Sequence, residues 1–500
     1  MQAGFGDGSD VQMAIPLLNA VRSRIEQAHA PFYTPGHKHG RGAAIPLTDL
    51  FGARVFQADL PELPELDNLF APQGVIQQAQ ALAAEAFGAD RTWFLVNGST
   101  AGMIATILAT CGPGDRLILS RNVHQSAISG LILAGATPIF VQPEYDAAWD
   151  MVHSMTPTAV AATLKQHPDA KAILMVCPTY HGVCGDVTAI AQLAHQYGIP
   201  LLVDEAHGPH FAFHPGLPTA ALAAGADLVV QSTHKVLSAM TQAAMLHLQG
   251  ERVQPDRVSK ALQLVQSSSP SYLLLASLDA ARHQMATEGQ ALLEHTLTLA
   301  DTARSRLGQI SGLAVLSSAQ AGQTAGFVAL DRTRLTVNVS GLGIDGFTAD
   351  TILNEQLGVT AELPSLQHLT FIISVGNTAA DVEQLVQAWT LLARRCRETP
   401  ATPGRDWDKR TTLPLSTLAA APLTPRDAFF ATSETVAIAQ AAGRISAELI
   451  CPYPPGIPVL MPGEIITKDA IAYLQKILAI GGTISGCADP SLETLRAVVP

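Results

Sequence analysis

The feature that most constrains the fold is a series of short aliphatic runs between about residues 92 and 235, each followed by a segment of helical length. The runs are TWFLV (92–96), DRLILS (115–120), TPIFVQ (137–142), KAILMVCP (171–178), IPLLVDE (199–205) and ADLVVQS (226–232). Near-continuous aliphatic strands that alternate with amphipathic helices indicate a mainly parallel sheet covered by helices on both faces. Functional groups in such sheets gather beyond the carboxyl ends of the strands, so the residues after each run are the first site candidates.

The first strand end is followed by NGSTAG (97–102) and then by an apolar segment of helical length. Small residues before a helix leave its first N–H groups pointing outward, and Ser99 and Thr100 add hydroxyl donors. This combination is suited to holding a phosphate group. An ordinary helix cap, in which Ser or Thr satisfies the first turn, explains the same letters, so this stretch alone leaves both interpretations open.

Two later strand ends carry an acid and an amine. Asp204 ends the run IPLLVDE, where a buried carboxyl group must be paired or hydrogen-bonded. Lys235 follows ADLVVQS; an amine at a desolvated strand end suits Schiff-base chemistry, although a lysine paired with a buried acid is the structural alternative. Pyridoxal phosphate requires a lysine for its aldehyde, an acid for its ring nitrogen and N–H donors for its phosphate. The three strand ends together therefore predict a pyridoxal-phosphate site.

Nucleic-acid and metal functions are not supported by the sequence. The letters DEAH (204–207) also occur in nucleic-acid motors, but those proteins need a GxxxxGK[ST] loop, which the chain lacks. The net charge of −12 argues against a nucleic-acid footprint. A metal site on His207, His210 and His214 would need a helix there, and the neighbouring prolines interrupt one, so we predict no metal.

The sequence also predicts where the protein acts. The N-terminus lacks the basic start and long apolar core of a signal peptide, and no apolar run approaches the ~20 residues that span a bilayer. Six cysteines are scattered without a CxxC pair, which is typical of reduced, buried thiols. We therefore expect a cytoplasmic protein that acts on a small molecule, with no nucleic-acid or membrane partner.

Several motifs resemble one enzyme family. STHK (232–235) and VDEAHG (203–208) are similar to the fold-type I pyridoxal-phosphate enzymes, the aspartate aminotransferase superfamily. Four further stretches narrow the resemblance to the bacterial-type ornithine/lysine/arginine decarboxylases: FYTPGHKHGRG (32–42), RNVHQSAISG (121–130), SSSPSYLLLASLD (267–279) and PYPPGIPVLMPGE (452–464). The likeness extends in the same order from about residue 30 to 480, and it is to the shorter members without an N-terminal wing domain.

The resemblance implies roles for individual residues. Lys235 resembles the Schiff-base lysine, and Asp204 resembles the partner of the pyridine nitrogen, with His207 beside it. His124 matches the histidine that stacks on the cofactor ring, and Ala206 matches the small residue on the opposite ring face. The other cofactor contacts that the resemblance implies are Ser99, Thr100, Thr179, Ser232 and His234. The implied catalytic residues are Lys235, Asp204, His124 and His207.

The activity implied by the resemblance is decarboxylation of a basic amino acid. Lysine and arginine are the first candidates and ornithine the third, giving a diamine or agmatine and CO₂ in polyamine biosynthesis. Glu464 of MPGE and His37 of PGHK are the predicted substrate contacts. Further acids stand in DLPELPELDNLF (59–70), where a solvated loop is favoured for most of them: Asp59, Glu62, Glu65 and Asp67.

Two alternatives stay open on the sequence. One is an aminotransferase or lyase of the same fold, and the other is a non-catalytic homologue that binds the cofactor or a partner protein. Because fold-type I sites are commonly completed by a second subunit, the resemblance also implies a homodimer or a higher homo-oligomer.

The length of 500 residues exceeds one ordinary core, so several domains are expected. The predicted fold class is α/β: a fold-type I pyridoxal-phosphate enzyme with a mainly parallel seven-stranded-type sheet in its large domain and smaller α+β domains towards the C-terminus. The predicted boundaries are an N-terminal arm (1–30), a large cofactor-binding domain (31–275), a small α+β domain (276–395), a linker (396–410) and a C-terminal decarboxylase-type domain (411–500). A strong helical pattern near residues 275–300 predicts one long helix, or two, leading out of the large domain.

Overall fold

The computed structural model describes residues 11–398, 421–453 and 456–499. The chain divides into two compact units, one of Met1–Ala109 with Asp204–Leu293 and the other of Thr110–Val203 with Glu294–Pro500. Part of the predicted N-terminal arm (1–10) and most of the predicted linker (399–410) lie outside the described residues. The five predicted domain boundaries stay predictions.

The fold is α/β, with a mainly parallel central sheet of seven strands. The strands of this sheet are β1 (Arg91–Leu95), β2 (Arg116–Ser120), β3 (Thr137–Val141), β6 (Ala172–Val176), β8 (Leu201–Asp204), β9 (Leu228–Gln231) and β10 (Ala244–Leu248). All six predicted aliphatic runs form strands of this sheet, so the fold-class prediction is confirmed. The seventh strand, β10, was not predicted.

Pairing within each unit explains the mixed character of the sheet. In the first unit β10 pairs antiparallel with both β1 and β9. In the second unit β2 pairs in parallel with both β3 and β6. Parallel strands place their carboxyl ends at one edge of a sheet, and this edge is where the sequence places the candidate residues.

The remaining strands form smaller sheets. A four-stranded antiparallel sheet in the second unit has the order β11 (Ala314–Val315), β13 (Arg334–Asn338), β15 (His368–Ile372) and β14 (Leu363–Pro364). The other strands of the described residues form four pairs: β4 (Tyr145–Asp146) with β5 (Met151–Val152), β7 (Val183–Cys184) with β12 (Ala329–Leu330), β16 (Ser433–Ala437) with β19 (Thr494–Val498), and β17 (Cys451–Tyr453) with β18 (Thr483–Ser485).

The segment near 275–300, predicted to be one long helix or two, forms one helix of 36 residues, Tyr272–Leu307. The other α-helices are Pro16–Glu26, Ile45–Phe51, Ala53–Ala58, Val75–Phe87, Gly98–Thr110, Gln125–Ala134, Pro157–Gln166, Val187–Gln196, Thr233–Val236, Pro255–Val265, Gly346–Leu357, Ala379–Glu398, Pro425–Phe430, Ile438–Ala441 and Lys468–Ala479. Within the described ranges, no helix is both long enough and apolar enough to cross a bilayer.

Two apolar clusters hold the C-terminal half of the second unit together. One packs Trp389 of the helix Ala379–Glu398 against Phe371 of β15, with ring centroids 6.2 Å apart in an edge-on arrangement. The other gathers Tyr473 and Leu474 of the helix Lys468–Ala479 with apolar residues of the last 60 positions. Burial of these aromatic and aliphatic side chains is the main stabilising contribution in each cluster.

Candidate active site

Lys235 lies in the short helix Thr233–Val236, directly after β9. Its backbone N–H donates to the carbonyl of Ser232 (3.1 Å), which fixes the turn that follows the strand. Its amine nitrogen Nζ is 2.9 Å from Nε2 of His207, which is buried. The fold therefore places a lysine amine at a half-buried strand end, in hydrogen-bond contact with the predicted neighbour of Asp204.

Asp204 is the last residue of β8 and is 9% exposed. Burial raises the pKa of Asp204, while the positive charge of Lys235 and a hydrogen bond from the Ala206 N–H (3.1 Å) act in the opposite direction. The charge interaction requires the lysine to lie within electrostatic range of the carboxyl group. The predicted strand-end acid and strand-end amine are thus brought together.

The turn after β1 carries the predicted phosphate donors. Gly98 begins the helix Gly98–Thr110 with a φ of 73°, a conformation that glycine adopts without strain. The fully buried Ser232 Oγ donates to Ser99 Oγ at 2.7 Å, so the hydroxyls of two strand ends meet at the start of this helix. Thr100, one residue further, is exposed.

His234 has a defined ring orientation beside this turn. Its Nδ1 lies 3.0 Å from the carbonyl oxygen of Ala243, which can only accept, so Nδ1 carries the proton. The backbone N–H of His234 donates to the same carbonyl (3.2 Å). The residue is therefore anchored from both its backbone and its side chain.

In the second unit, His124 precedes the helix Gln125–Ala134 and caps it. Its Nδ1 accepts from the Ser126 N–H (3.2 Å) and lies 2.8 Å from the Ser126 hydroxyl. A Cβ atom added at Gly456 would lie 3.4 Å from the His124 Nε2 and Cδ2 atoms, so this glycine backbone lies close to the ring. The histidine ring is thus fixed at a strand end, after β2.

Thr179, also in the second unit, follows β6 and is buried. Its hydroxyl accepts from the Val183 N–H (3.1 Å), and its backbone N–H donates to the Val183 carbonyl (2.9 Å). These bonds close a tight turn at the carboxyl end of the strand. The role of Thr179 as a cofactor contact stays a prediction.

Glu464, the acid predicted to contact the substrate, is buried and is hydrogen-bonded to residues of its own unit. Its Oε2 lies 3.3 Å from a guanidinium nitrogen of Arg121 and accepts from the Met461 N–H (3.0 Å). Arg121 also donates to the carbonyls of Pro458 (2.7 Å) and Val459 (3.3 Å). The pair joins the segment after β2 to the segment that ends at Glu464. The Glu464 carboxylate therefore neutralises the guanidinium of Arg121.

His37, the other predicted substrate contact, lies in the first unit. Its Nε2 is 3.1 Å from an Asp59 carboxylate oxygen, and its Nδ1 accepts from the Gly40 N–H (3.1 Å). Because Nδ1 accepts, Nε2 is the donor to Asp59 in the neutral ring. The histidine thus holds the turn of PGHK in place, and its role towards substrate stays a prediction.

The other acids of residues 59–70 are engaged by their own loop. Asp67 accepts from several N–H groups at the start of the helix Val75–Phe87, among them that of Gly74 (2.7 Å). Burial raises the pKa of Asp67, but these backbone hydrogen bonds outweigh it and lower the pKa overall. Glu62 accepts from the Leu69 N–H (3.0 Å), and Glu65 lies 3.2 Å from Nε of Arg24. These contacts favour a structural role for the loop acids.

Two carboxyl groups of interest were missed by sequence reasoning. Glu205, the neighbour of Asp204, is buried and accepts from the side-chain amide of Gln231 (2.8 Å). Asp150 stands in the turn between β4 and β5, within a polar stretch that no motif distinguishes. For Glu205 a signal was present, since an acid directly after a buried aliphatic run needs hydrogen-bond partners.

The residues of the first unit fit pyridoxal phosphate. A lysine amine and a buried carboxyl group lie within electrostatic range, and two serine hydroxyls meet at the start of a helix of 13 residues. The amine matches the aldehyde of the cofactor, the acid matches its ring nitrogen, and the hydroxyls and helix N–H groups match its phosphate. These features define the class as a fold-type I pyridoxal-phosphate enzyme.

Solved structures support this class at the level of the fold. The lysine decarboxylase LdcF of Francisella novicida has a TM-score of 0.85 at 22% identity, over 98% of this chain and 82% of that chain. Lysine decarboxylase A of Pseudomonas aeruginosa has a TM-score of 0.83 at 23% identity, over 98% and 81%.

The sequence comparisons define the family. The major domain of the Orn/Lys/Arg decarboxylases matches residues 15–381, and their C-terminal domain matches residues 410–488. The chain is 40% identical to the arginine decarboxylase of Bacillus subtilis strain 168, over 97% of this chain and 98% of the relative. It is 38% identical to the arginine decarboxylase of Bacillus anthracis, with the same coverage.

The chain belongs to the Orn/Lys/Arg decarboxylase family. It is an amino-acid decarboxylase that acts on a basic amino acid, with pyridoxal phosphate as cofactor. The predictions of family, enzyme class and cofactor are therefore confirmed.

Proposed function

We propose that the enzyme converts arginine to agmatine and CO₂, with pyridoxal phosphate held by Lys235. The observation that carries the choice of arginine is the 40% identity to the Bacillus subtilis arginine decarboxylase over almost the full length of both chains. Lysine is the second candidate, because the Pseudomonas aeruginosa lysine decarboxylase is 26% identical over 92% of this chain, although over only 75% of the relative.

When bound, the cofactor supplies an electron sink for the pair left at Cα after CO₂ departs. In our proposal Lys235 binds the cofactor aldehyde through its amine, and the contact of 2.9 Å to His207 orients that amine. Asp204 would keep the ring nitrogen protonated, because a carboxylate next to a pyridinium favours its charged form. Removal of CO₂ from a carboxylate needs no acid from the protein, but reprotonation at Cα does, and Lys235 is the proposed donor.

The remaining predicted contacts complete the proposed cofactor site. Ser99, Thr100, Ser232 and His234 would bind the phosphate, and the start of the helix Gly98–Thr110 adds N–H donors. The other residues that would contact the cofactor are Ala206 in the first unit and His124 and Thr179 in the second. The substrate contacts predicted from the sequence, His37 and Glu464, stay predictions.

A panel assay tests the proposal. Holoenzyme is given arginine, lysine or ornithine in turn, and CO₂ and the amine product are measured. We expect agmatine from arginine at a kcat/KM at least tenfold above the values for lysine and ornithine. Faster cadaverine formation from lysine would replace arginine with lysine, and keto-acid formation without CO₂ would contradict the decarboxylase assignment.

The Asp204→Ala variant tests whether Asp204 acts on the cofactor ring nitrogen, separately from whether the enzyme binds the cofactor. We expect the variant to retain cofactor by absorbance but to lose at least a hundredfold in kcat, because the ring nitrogen no longer has an anionic partner. The exposed Asp169→Asn variant is the matched control and should keep wild-type kcat.

The assembly and the location stay predictions. A homodimer is tested by light scattering of the purified holoenzyme, and a second subunit that completes the site would make activity depend on protein concentration.

A further inference from the structure

A cavity inside the second unit has the chemistry of a pocket for a cationic side chain. Its volume is about 110 Å³, which is room for several water-sized groups. Thr179 and His181, after β6, and Asn122, after β2, form the wall at the strand ends. Thr179 is a proposed cofactor contact, and Asn122 stands two residues before His124, which is another. A ligand in the cavity would therefore lie beside a residue that we propose contacts the cofactor.

Most of the cavity wall is apolar. Val152, Val176, Phe347 and Leu366 contribute side chains that would contact methylene groups. Among the described residues that line the cavity, Asp150 is the one carboxylate. An apolar wall with a single acid is complementary to an aliphatic chain that ends in a cation.

The carboxylate of Asp150 is held in position but keeps capacity to bind. Its Oδ1 accepts a short hydrogen bond from the Tyr145 hydroxyl, and its Oδ2 lies 3.4 Å from Nε2 of Gln367. Each carboxylate oxygen has two acceptor sites, so each retains one after these contacts. One remaining acceptor site on each oxygen is what a bidentate guanidinium needs, whereas an ammonium needs only a point charge.

A bound cation would favour the ionised form of Asp150, as an opposite charge nearby does for any carboxyl group. Burial raises the pKa of Asp150, and the Tyr145 hydroxyl and the positive charge of Lys476 on the helix Lys468–Ala479 act against that rise. Burial lowers the pKa of His181 to about 4, with the charge of His153 acting in the same direction. His181 is therefore neutral near pH 7 and does not repel a cationic ligand.

The rival carboxylate is already neutralised. Glu464 forms an ion pair with Arg121, which also donates to two backbone carbonyls, so that pair is satisfied without a ligand. Glu464 is also absent from the residues that line the cavity.

We propose that Asp150 binds the guanidinium of the substrate and that this cavity holds the methylene chain of its side chain. The inference rests on the proposed function, whose substrate it assigns to named residues. Tyr145 is a positioning residue, because its hydroxyl orients the carboxylate and is not among the lining groups.

Binding of agmatine to the holoenzyme, measured by titration calorimetry, tests the inference without turnover. Asp150→Asn is the informative variant: Asp150 has a φ of 45°, which asparagine tolerates and alanine does not. A hydrogen bond to a charged group contributes roughly 1.5–3 kcal/mol, so we expect the Kd of agmatine to rise about 10- to 100-fold. The arginine KM should rise by a similar factor, with a smaller change in kcat.

Asp169→Asn is the control, since its exposed carboxylate pairs with Arg116 on the surface, and its agmatine Kd should match the wild type. Tyr145→Phe should weaken agmatine less than Asp150→Asn does. Where circular dichroism shows that Asp150→Asn does not fold, Asp150→Gly, which also tolerates this φ, replaces it and should weaken agmatine at least tenfold.

An agmatine Kd within twofold of wild type in the folded variant overturns the inference. That failure is distinct from failure of the proposed function. If wild-type enzyme forms agmatine but the variant binds it equally well, only the assignment of Asp150 is wrong. If wild-type enzyme forms no agmatine from arginine, the proposed function itself is wrong.

Discussion

Replacement of Glu205 by glutamine should change how stability depends on pH. Glu205 is fully buried in a chain of hydrogen bonds: it accepts from the Ala221 N–H (2.8 Å) and from the Gln231 amide (2.8 Å). The Gln231 carbonyl oxygen lies 3.0 Å from His247 Nε2, and His247 Nδ1 lies 2.8 Å from the Thr92 hydroxyl. Each acceptor of the acid has a donor, but no cation is among these partners.

The size of the effect follows from the pKa of the buried acid. Burial raises the pKa of Glu205 to about 8, with the Gln231 and Ala221 hydrogen bonds acting in the opposite direction. In the unfolded chain the group titrates near its ordinary value of 4.5. The folded state therefore keeps a proton that the unfolded state has released, and stability falls as the pH rises towards 8. Between pH 6.5 and 8.0 the loss is about 1.5 kcal/mol.

This pH window separates Glu205 from the buried histidines. Burial lowers the pKa of His247 to about 3, so its folded form binds fewer protons than its unfolded form below pH 6.5. Its contribution raises stability with rising pH in that lower range, and only about 0.4 kcal/mol of it is still to be gained above pH 6.5. The contribution of His181 to stability also rises with pH over the same range, because its pKa is lowered to about 4.

Urea unfolding of wild type and Glu205→Gln at pH 6.5 and 8.0 measures the effect. The neutral amide keeps the hydrogen bonds if Gln231 turns its own amide over and the His247 proton moves from Nε2 to Nδ1, where the Thr92 hydroxyl can accept it. The two proteins should therefore be similar at pH 6.5. At pH 8.0 the variant should be more stable than wild type by about 1.5 kcal/mol. Asp169→Asn, at an exposed acid, should follow wild type at both pH values. Equal pH slopes for wild type and Glu205→Gln would refute the reasoning.

Two further predictions concern the cofactor turn and the buried ion pair. Ser99→Ala and Ser232→Ala should each raise the Kd of pyridoxal phosphate roughly tenfold, since each removes a hydroxyl from the phosphate site; unchanged cofactor titrations would contradict the phosphate assignment. Arg121→Met should lower the free energy of unfolding by about 3–5 kcal/mol, because Glu464 is left buried without its cation. Arg121→Met combined with Glu464→Met should recover most of that loss in thermal unfolding, and a double variant no more stable than the single one would refute this account.

The sequence predicted the sheet well because the physical signal is strong. A strand buried on both faces reads as a continuous aliphatic run, and six such runs form six of the seven central strands. The seventh, β10, has the sequence AMLHL, where the buried His247 interrupts the aliphatic pattern. Its antiparallel pairing also breaks the regular alternation of strands and helices on which the prediction depended.

The site was predictable where chemistry is tied to strand ends. Lys235, Asp204 and Ser99 each stand at the end of an aliphatic run. Sheet geometry accounts for the charge interaction of Lys235 with Asp204 and for the contact of Ser99 with Ser232. Partnerships between distant segments carry no local pattern. The pairing of Glu464 with Arg121, 343 positions apart, is one example. The place of Asp150 in a cavity lined from seven separate stretches of chain is another.

The central claim is that the amine of Lys235 is the one bound to the cofactor. The direct measurement is reduction of the holoenzyme with borohydride, which makes that linkage permanent, followed by digestion and mass spectrometry of the peptides. We predict the phosphopyridoxyl mass on the peptide that contains Lys235, and no such adduct in the Lys235→Ala variant. An adduct on another lysine, or an active enzyme with no adduct at residue 235, would contradict the claim.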